Sequence, residues 1–127
     1  MVTNTVIQQL VERIKQFDPE KIILFGSYAY GTPSEDSDVD LLVIKNIDLK
    51  DIRETRIEIR RSLFSIRYEN QIEIDLLVDN EDHINYRINI GDKFYEELIT
   101  KGKILYANLL LIPCLAYSIL PLVINSS

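Results

Sequence analysis

Residues Phe25 to Val43 read FGSYAYGTPSEDSDVDLLV, and this stretch decides how the rest of the chain is read. The apolar run Lys21-Ile22-Ile23-Leu24-Phe25 stops at Gly26-Ser27, and after ten intervening residues Asp38-Val39-Asp40 opens a second apolar run ending at Ile44. A short apolar run that stops at glycine predicts a buried strand followed by a tight turn. Gly26 lacks a Cβ, so the backbone can turn sharply and approach a ligand closely. Ser27 supplies a hydroxyl and an N–H, and a helix starting there aims its first N–H groups at phosphate oxygens. Asp38 and Asp40 are two residues apart, so on a strand both carboxylates point to one face. Paired carboxylates repel unless a cation lies between them, and Mg²⁺ takes such oxygen ligands. The pattern suits phosphoryl or nucleotidyl transfer, where metal ions bind the transferring phosphate and activate the attacking oxygen.

A third carboxylate joins these two. Asp75 lies within Ile72-Glu73-Ile74-Asp75-Leu76-Leu77, an acid inside a run of strand character. If that strand pairs with the one after Asp38, Asp75 falls beside Asp38 and Asp40. It then takes a proton from an attacking hydroxyl and helps hold a metal. Glu73 shares its face by period two but sits nearer the strand start, where water reaches it. A capping role for Asp75, or an ion pair with Arg53, Arg56 or Arg60, is the plainer alternative. A Gly-Ser turn or an Asp-x-Asp alone carries little; the three elements in this order carry the functional reading.

Outward from this centre, Val6, Ile7, Leu10, Val11, Ile14 and Phe17 recur at helical spacing over Thr3–Phe17, with Asn4 or Thr5 as the cap and Asp18-Pro19 as the stop. Gly31 to Ser37 has loop chemistry. Asp48 to Ile66 places Ile52, Ile59, Leu63 and Ile66 on one face and its arginines elsewhere, an amphipathic helix. Its basic stretch, Arg53 to Arg67, reads first as a solvated face and second as a docking surface for an acidic partner or for phosphates. Gln71 to Val78 predicts a third strand. Glu81 to Lys101 predicts one or two helices broken near Gly91, and Lys103 to Tyr106 a last extended piece. The order predicts one small α/β domain over residues 1–106.

Composition sets further limits. In 127 residues, twenty acids against fourteen bases leave a net charge of −6. That balance argues against direct nucleic-acid binding over a broad surface. The single cysteine, Cys114, and single histidine, His83, cannot build a Cys/His metal site or an internal disulfide. His83 reads as a surface or helix-start residue. No basic stretch and cleavage site open the chain, so a reducing cytoplasmic setting is expected. From Ala107 to Ser127 no residue is charged. The apolar run Leu109–Ile124 is short for a membrane span, about 24 Å as a helix against ~30 Å of hydrocarbon, and Pro113 and Pro121 interrupt it. Residues 107–127 are therefore expected to be an apolar tail that packs on this domain or a partner, with no membrane anchor.

Gly26-Ser27-x10-Asp38-x-Asp40 with a later strand Asp resembles the DNA polymerase β-like nucleotidyltransferase superfamily. The short chain narrows the resemblance to the minimal nucleotidyltransferase (MNT or MntA) antitoxins of HEPN–MNT toxin–antitoxin pairs. The motif covers Ile22 to Val78, and the element order covers the first 106 residues. The resemblance implies a small mixed β-sheet with flanking helices, ATP as substrate, and two Mg²⁺ ions held by Asp38, Asp40 and Asp75 as metal ligands and catalytic acids. Gly26 and Ser27 would hold the triphosphate. It also implies a hetero-oligomer with a HEPN-domain ribonuclease toxin, neutralised by transfer of AMP to one of its tyrosines. One departure is visible: the family often has a basic residue after Gly-Ser, where this chain has Tyr28-Ala29-Tyr30. Those tyrosines either stack on adenine or pack the turn against the sheet. Two other functions stay open, a non-catalytic antitoxin that inhibits by contact and a small-molecule nucleotidyltransferase, although the latter usually needs an added helical domain.

Overall fold

A computed structural model describes residues 2–108. The elements run α1 (Asn4–Lys15), β1 (Lys21–Phe25), α2 (Ser27–Tyr30), β2 (Val39–Ile44), α3 (Leu49–Ser62), α4 (Phe64–Asn70), β3 (Ile74–Asp79), α5 (Glu81–Asn89), α6 (Lys93–Lys101) and β4 (Lys103–Ala107). The strands form one sheet in the order β3-β2-β1-β4. β1 is antiparallel to both its neighbours, whereas β2 and β3 are parallel. This is the mixed α/β sheet with flanking helices expected from the sequence.

The alternation of side chains along each strand divides the molecule into two cores. One face of the sheet contributes Ile22, Leu24, Leu41, Val43, Leu76 and Val78, which pack with Leu10 and Ile14 of α1 and Ile59, Leu63 and Ile66 of the α3–α4 region. Each large side chain buried there contributes about 1.5–3 kcal/mol. The other face contributes Ile23, Phe25, Leu42 and Ile44, covered by Ile84 of α5 and Leu98 of α6. Asp40 shares the parity of Leu42 and Ile44, and Asp75 and Asp79 share that of Leu77. All three acids therefore stand on the α5–α6 face.

Several boundaries differ from the sequence reading for identifiable reasons. α1 is capped by Thr3, whose Oγ1 accepts from the N–H of Val6 at 3.3 Å, and not by Asn4 or Thr5. The expected helix over 48–66 is two helices. Arg13 Nη1 donates to the carbonyl of Ser62 at 2.6 Å, and the Ser62 hydroxyl donates to the carbonyl of Ile59 at 2.6 Å. A carbonyl held by a side chain and a hydroxyl folded back on its own helix both disturb the i→i−4 ladder at this point. β3 begins at Ile74 and not at Gln71, because Gln71 ends α4 in the left-handed conformation (φ 52°). It also reaches Asp79, one residue beyond the expected end. α5 and α6 are separate helices: Gly91 has φ 92°, and Asp92 caps α6 by accepting from the N–H groups of Phe94 and Tyr95.

β4 closes the sheet against β1, pairing Lys21 with Ala107 and Ile23 with Ile104, with a β-bulge between them. The N–H of Asn108 then donates to the carbonyl of Glu20 at 2.8 Å. Nearly all of the apolar tail, with Cys114, lies outside the described residues. Among the described residues, no helix is long and apolar enough to cross a membrane.

Candidate functional site

Strand pairing brings the motif together. Phe25 opposes Asp40 across the β1–β2 ladder, and Asp40 stands directly beside Asp75 across the parallel β2–β3 ladder. Gly26 follows Phe25 at the end of β1 and turns the chain into α2 with φ 71° and ψ −159°. That backbone conformation is open essentially only to glycine. A Cβ on Gly26 would overlap Oδ2 of Asp40 and come within 2.9 Å of its Cγ. The glycine is therefore needed twice, for its dihedral angles and for the room it leaves the carboxylate.

Asp40, Asp75, Gly26, Phe25, Tyr30 and three residues of α6, Phe94, Glu97 and Leu98, line an open cleft of about 360 Å³. Phe94 packs edge-on against Phe25 with ring centroids 5.9 Å apart, which forms an aromatic wall beside the acids. Asp40 is half-buried and its carboxyl is pushed up to about 6 by burial first, then by Asp75 and Asp38. Burial is the main cause, and the neighbouring carboxylates add to it. Among the described residues, no three His, Cys, Asp or Glu side chains converge as a ready-made metal cage. Two carboxylates side by side nevertheless fit Mg²⁺, which is commonly held by one or two protein oxygens and completes its shell with water and substrate phosphates.

Asp38 sits one residue ahead of β2, is exposed, and lines an adjoining cleft of about 250 Å³ with Glu35, Asp36 and Glu73. It is close enough to act on the Asp40 carboxyl, but the pair that shares the Phe94 cleft is Asp40–Asp75. Ser27 is the first residue of α2, half-buried at the same turn. The two tyrosines after it separate. Tyr28 packs against the α1 side of the core and accepts from the N–H of Val2, whereas Tyr30 is 41% exposed and faces the Asp40–Asp75 cleft. Among the described residues no ion pair engages Asp75; Arg60 donates to the carbonyl of Ile74, and Arg67 pairs with Glu73 at 3.4 Å.

The sequence reading missed a second acidic position on the same strand face. Asp79 is 3% exposed and is the hub of a small network. It accepts from the Tyr95 hydroxyl at 2.7 Å and from the N–H of Asn80 at 2.8 Å, and His83 Nδ1 lies 2.8 Å from its Oδ2. The carboxylate only accepts, so Nδ1 carries the proton of that contact. His83 thus has a partner, four residues back at the end of the strand. The Tyr95 hydroxyl is held above the usual phenol range by burial and then by its bond to Asp79, so it stays a donor. This network fastens α5 and α6 to β3, and α6 carries Phe94 and Glu97 to the cleft. The period-two spacing of Asp75 and Asp79 was the available signal.

Comparison with known proteins agrees with this geometry. The pattern of the family described as "Nucleotidyltransferase domain" matches residues 7–106. The chain is 33% identical over 87 residues to "Putative protein adenylyltransferase MJ0604" of Methanocaldococcus jannaschii, covering 68% of this chain and 78% of that protein. In three dimensions it resembles "a putative nucleotidyltransferase from Sulfolobus solfataricus" (TM-score 0.53, 18% identity, 82% of this chain and 79% of that one). It also resembles a chain of the toxin–antitoxin MntA-HpeT, in a double Asp-to-Glu mutant (TM-score 0.51, 20% identity, 99% and 90% covered). Because that family pattern spans residues 7–106, most of the chain, the chain belongs to the nucleotidyltransferase domain family.

Proposed function

We propose that the protein is an antitoxin that transfers AMP from ATP to a tyrosine of a cognate HEPN ribonuclease toxin, in a hetero-oligomer in the cytoplasm. The observation that carries the reading is the Asp40–Asp75 pair, seated against Gly26 in an open cleft. The name of the M. jannaschii relative supports protein adenylylation, and the MntA-HpeT likeness is in keeping with a toxin partner. Asp38, Asp40 and Asp75 would hold Mg²⁺, which when bound stabilises negative charge on the phosphates.

The remaining roles fall to the chain's own groups. Gly26 and Ser27 bind the triphosphate at the β1–α2 turn, where the absent Cβ lets the backbone approach it. Asp75, exposed at the rim, takes the phenolic proton of the acceptor, whose ordinary pKa of about 10 makes unaided attack slow at neutral pH. The phenolic oxygen then forms a bond to the α-phosphorus, the bond from that phosphorus to the bridging oxygen of the β-phosphate breaks, and pyrophosphate leaves. The products are tyrosine O-AMP on the acceptor and pyrophosphate, with the proton on Asp75. The partner completes the walls of this open cleft.

Intact-mass spectrometry of the toxin after incubation with this protein, ATP and Mg²⁺ tests the proposal. One or more added AMP masses on a tyrosine, absent in EDTA, are expected. A toxin that is inhibited without added mass and recovers on separation would instead establish inhibition by contact.

A further inference from the structure

The α3–α4 surface is chemically unlike the rest of this acidic chain. Arg53, Ile57, Arg60, Arg61, Phe64 and Tyr68 are all exposed. Ile57, Arg60, Arg61 and Phe64 line one shallow hollow of about 450 Å³ on this surface, away from the buried Ile59, Leu63 and Ile66. Phe64 and Tyr68 are 60% and 75% exposed, and their rings stack 6.0 Å apart at 20°. Two stacked rings left in water form a rigid apolar ridge. Among the described residues, the arginine–carboxylate pairs are Arg67–Glu73 and Arg87–Asp92, so Arg53 and Arg61 are unpaired. This exposed stripe ends beside the cleft that holds Asp38. Phe64 and Tyr68 border a hollow with Gln71, Ile72 and Glu73, and those three also line the cleft that holds Asp38.

We propose that this stripe is the docking surface for the protein that accepts the nucleotide, and that the partner meets it with carboxylates around an apolar centre. The inference rests on the transferase reading above. Charge complementarity selects the partner: unpaired arginines seek carboxylates, and the stacked rings seek an apolar patch. Exposed aromatic and arginine side chains are also the residue types that dominate binding energy at protein interfaces. A nucleic acid fits less well, because its phosphates would meet Glu35, Asp36, Asp38 and Glu73 at the end of the stripe and a chain of net charge −6 overall. A second copy laid stripe against stripe would oppose arginine to arginine.

The test uses the full chain and three fluorescent probes: an amphipathic helical peptide with glutamates flanking leucines, the same peptide with lysines for glutamates, and oligothymidylate. The acidic peptide should bind and weaken with added salt, while the lysine peptide should not bind. Arg53→Glu/Arg61→Glu and Phe64→Ala/Tyr68→Ala should each reduce its affinity at least ~10-fold. Both variants should bind Mg·ATP as the parent does, which also shows that they fold. Failure of the parent to bind the acidic peptide, or equal binding by both variants, overturns the proposal. So does tighter binding of oligothymidylate, or self-association abolished by the same substitutions. Failure of the parent to bind Mg·ATP while it still binds the peptide would count against the transferase reading alone.

Discussion

Gly26 and Asp40 compete for one small volume, because the space a Cβ on Gly26 would occupy is filled by Oδ2 of Asp40. Gly26→Ala is therefore expected to turn the Asp40 carboxylate out of the cleft and to strain the backbone by about 1–3 kcal/mol. Mg·ATP affinity should fall at least ~10-fold with a thermal midpoint a few degrees lower. Calorimetry and a melting curve on the same sample check both. An alanine variant that binds Mg·ATP normally would show that Asp40 does not need this position.

The raised pKa of Asp40 carries a pH signature. Its carboxyl moves from 3.8 to about 6 on folding, so between those values the native state keeps a proton that the unfolded chain has released. Stability from this group is thus present at low pH and lost as pH rises toward 6. Asp40→Asn removes the effect. In EDTA, its stability relative to the parent should grow by about 1 kcal/mol between pH 4 and pH 7, allowing for solvent screening of a partly exposed group. Urea denaturation across that range measures the gap, and Mg²⁺ should narrow it above pH 6. A gap that stays constant with pH would mean that Asp40 titrates normally.

Asp75→Asn separates proton transfer from folding. The side chain is exposed and without an ion pair among the described residues, so the substitution should leave the melting temperature nearly unchanged. Loss of a general base should lower AMP transfer by about 10²–10⁴-fold. Single-turnover transfer of labelled AMP reads this directly, and near-parental rates would exclude Asp75 as the base.

Asp79 should matter for stability. Tyr95→Phe removes one donor to a buried carboxylate and should cost about 1–2 kcal/mol, and Asp79→Ala, which removes the acceptor shared by Tyr95, His83 and Asn80, about 2–4 kcal/mol. Amide exchange in α6 should quicken in both. If α6 keeps its protection in Asp79→Ala, the network does not anchor that helix.

Much of this was legible in sequence because the deciding signals are local. Asp40 and Asp75 lie on strands whose apolar runs are plain, Gly26 and Asp38 flank those strands, and the parallel β2–β3 register sets Asp40 beside Asp75. The missing parts depend on contacts distant in sequence. The break at Leu63 needs Arg13, forty-nine residues before Ser62, to engage that residue's carbonyl. Phe94 and Glu97 join the cleft only because α6 lies across β1–β3, which no local pattern announces. Asp79 escapes a local reading because the apolar run ends at Val78, whereas the sheet continues for one more residue.

The pairing of β1 with β4 has a consequence for synthesis. Lys21 waits for Ala107, so the outer edge of β1 has no partner until more than eighty further residues have been added. At roughly 5–20 residues per second this leaves the hydrogen-bonding edge of a buried apolar strand open on the ribosome for about 4–16 seconds. Once residue 44 has been added β2 can pair with the other side of β1, and the nascent domain is then a half-closed sheet open to edge-to-edge association. Rare codons between α3 and β4 would lengthen that window, and the yield of folded protein should depend on translation speed through this region more than on speed through the first forty residues.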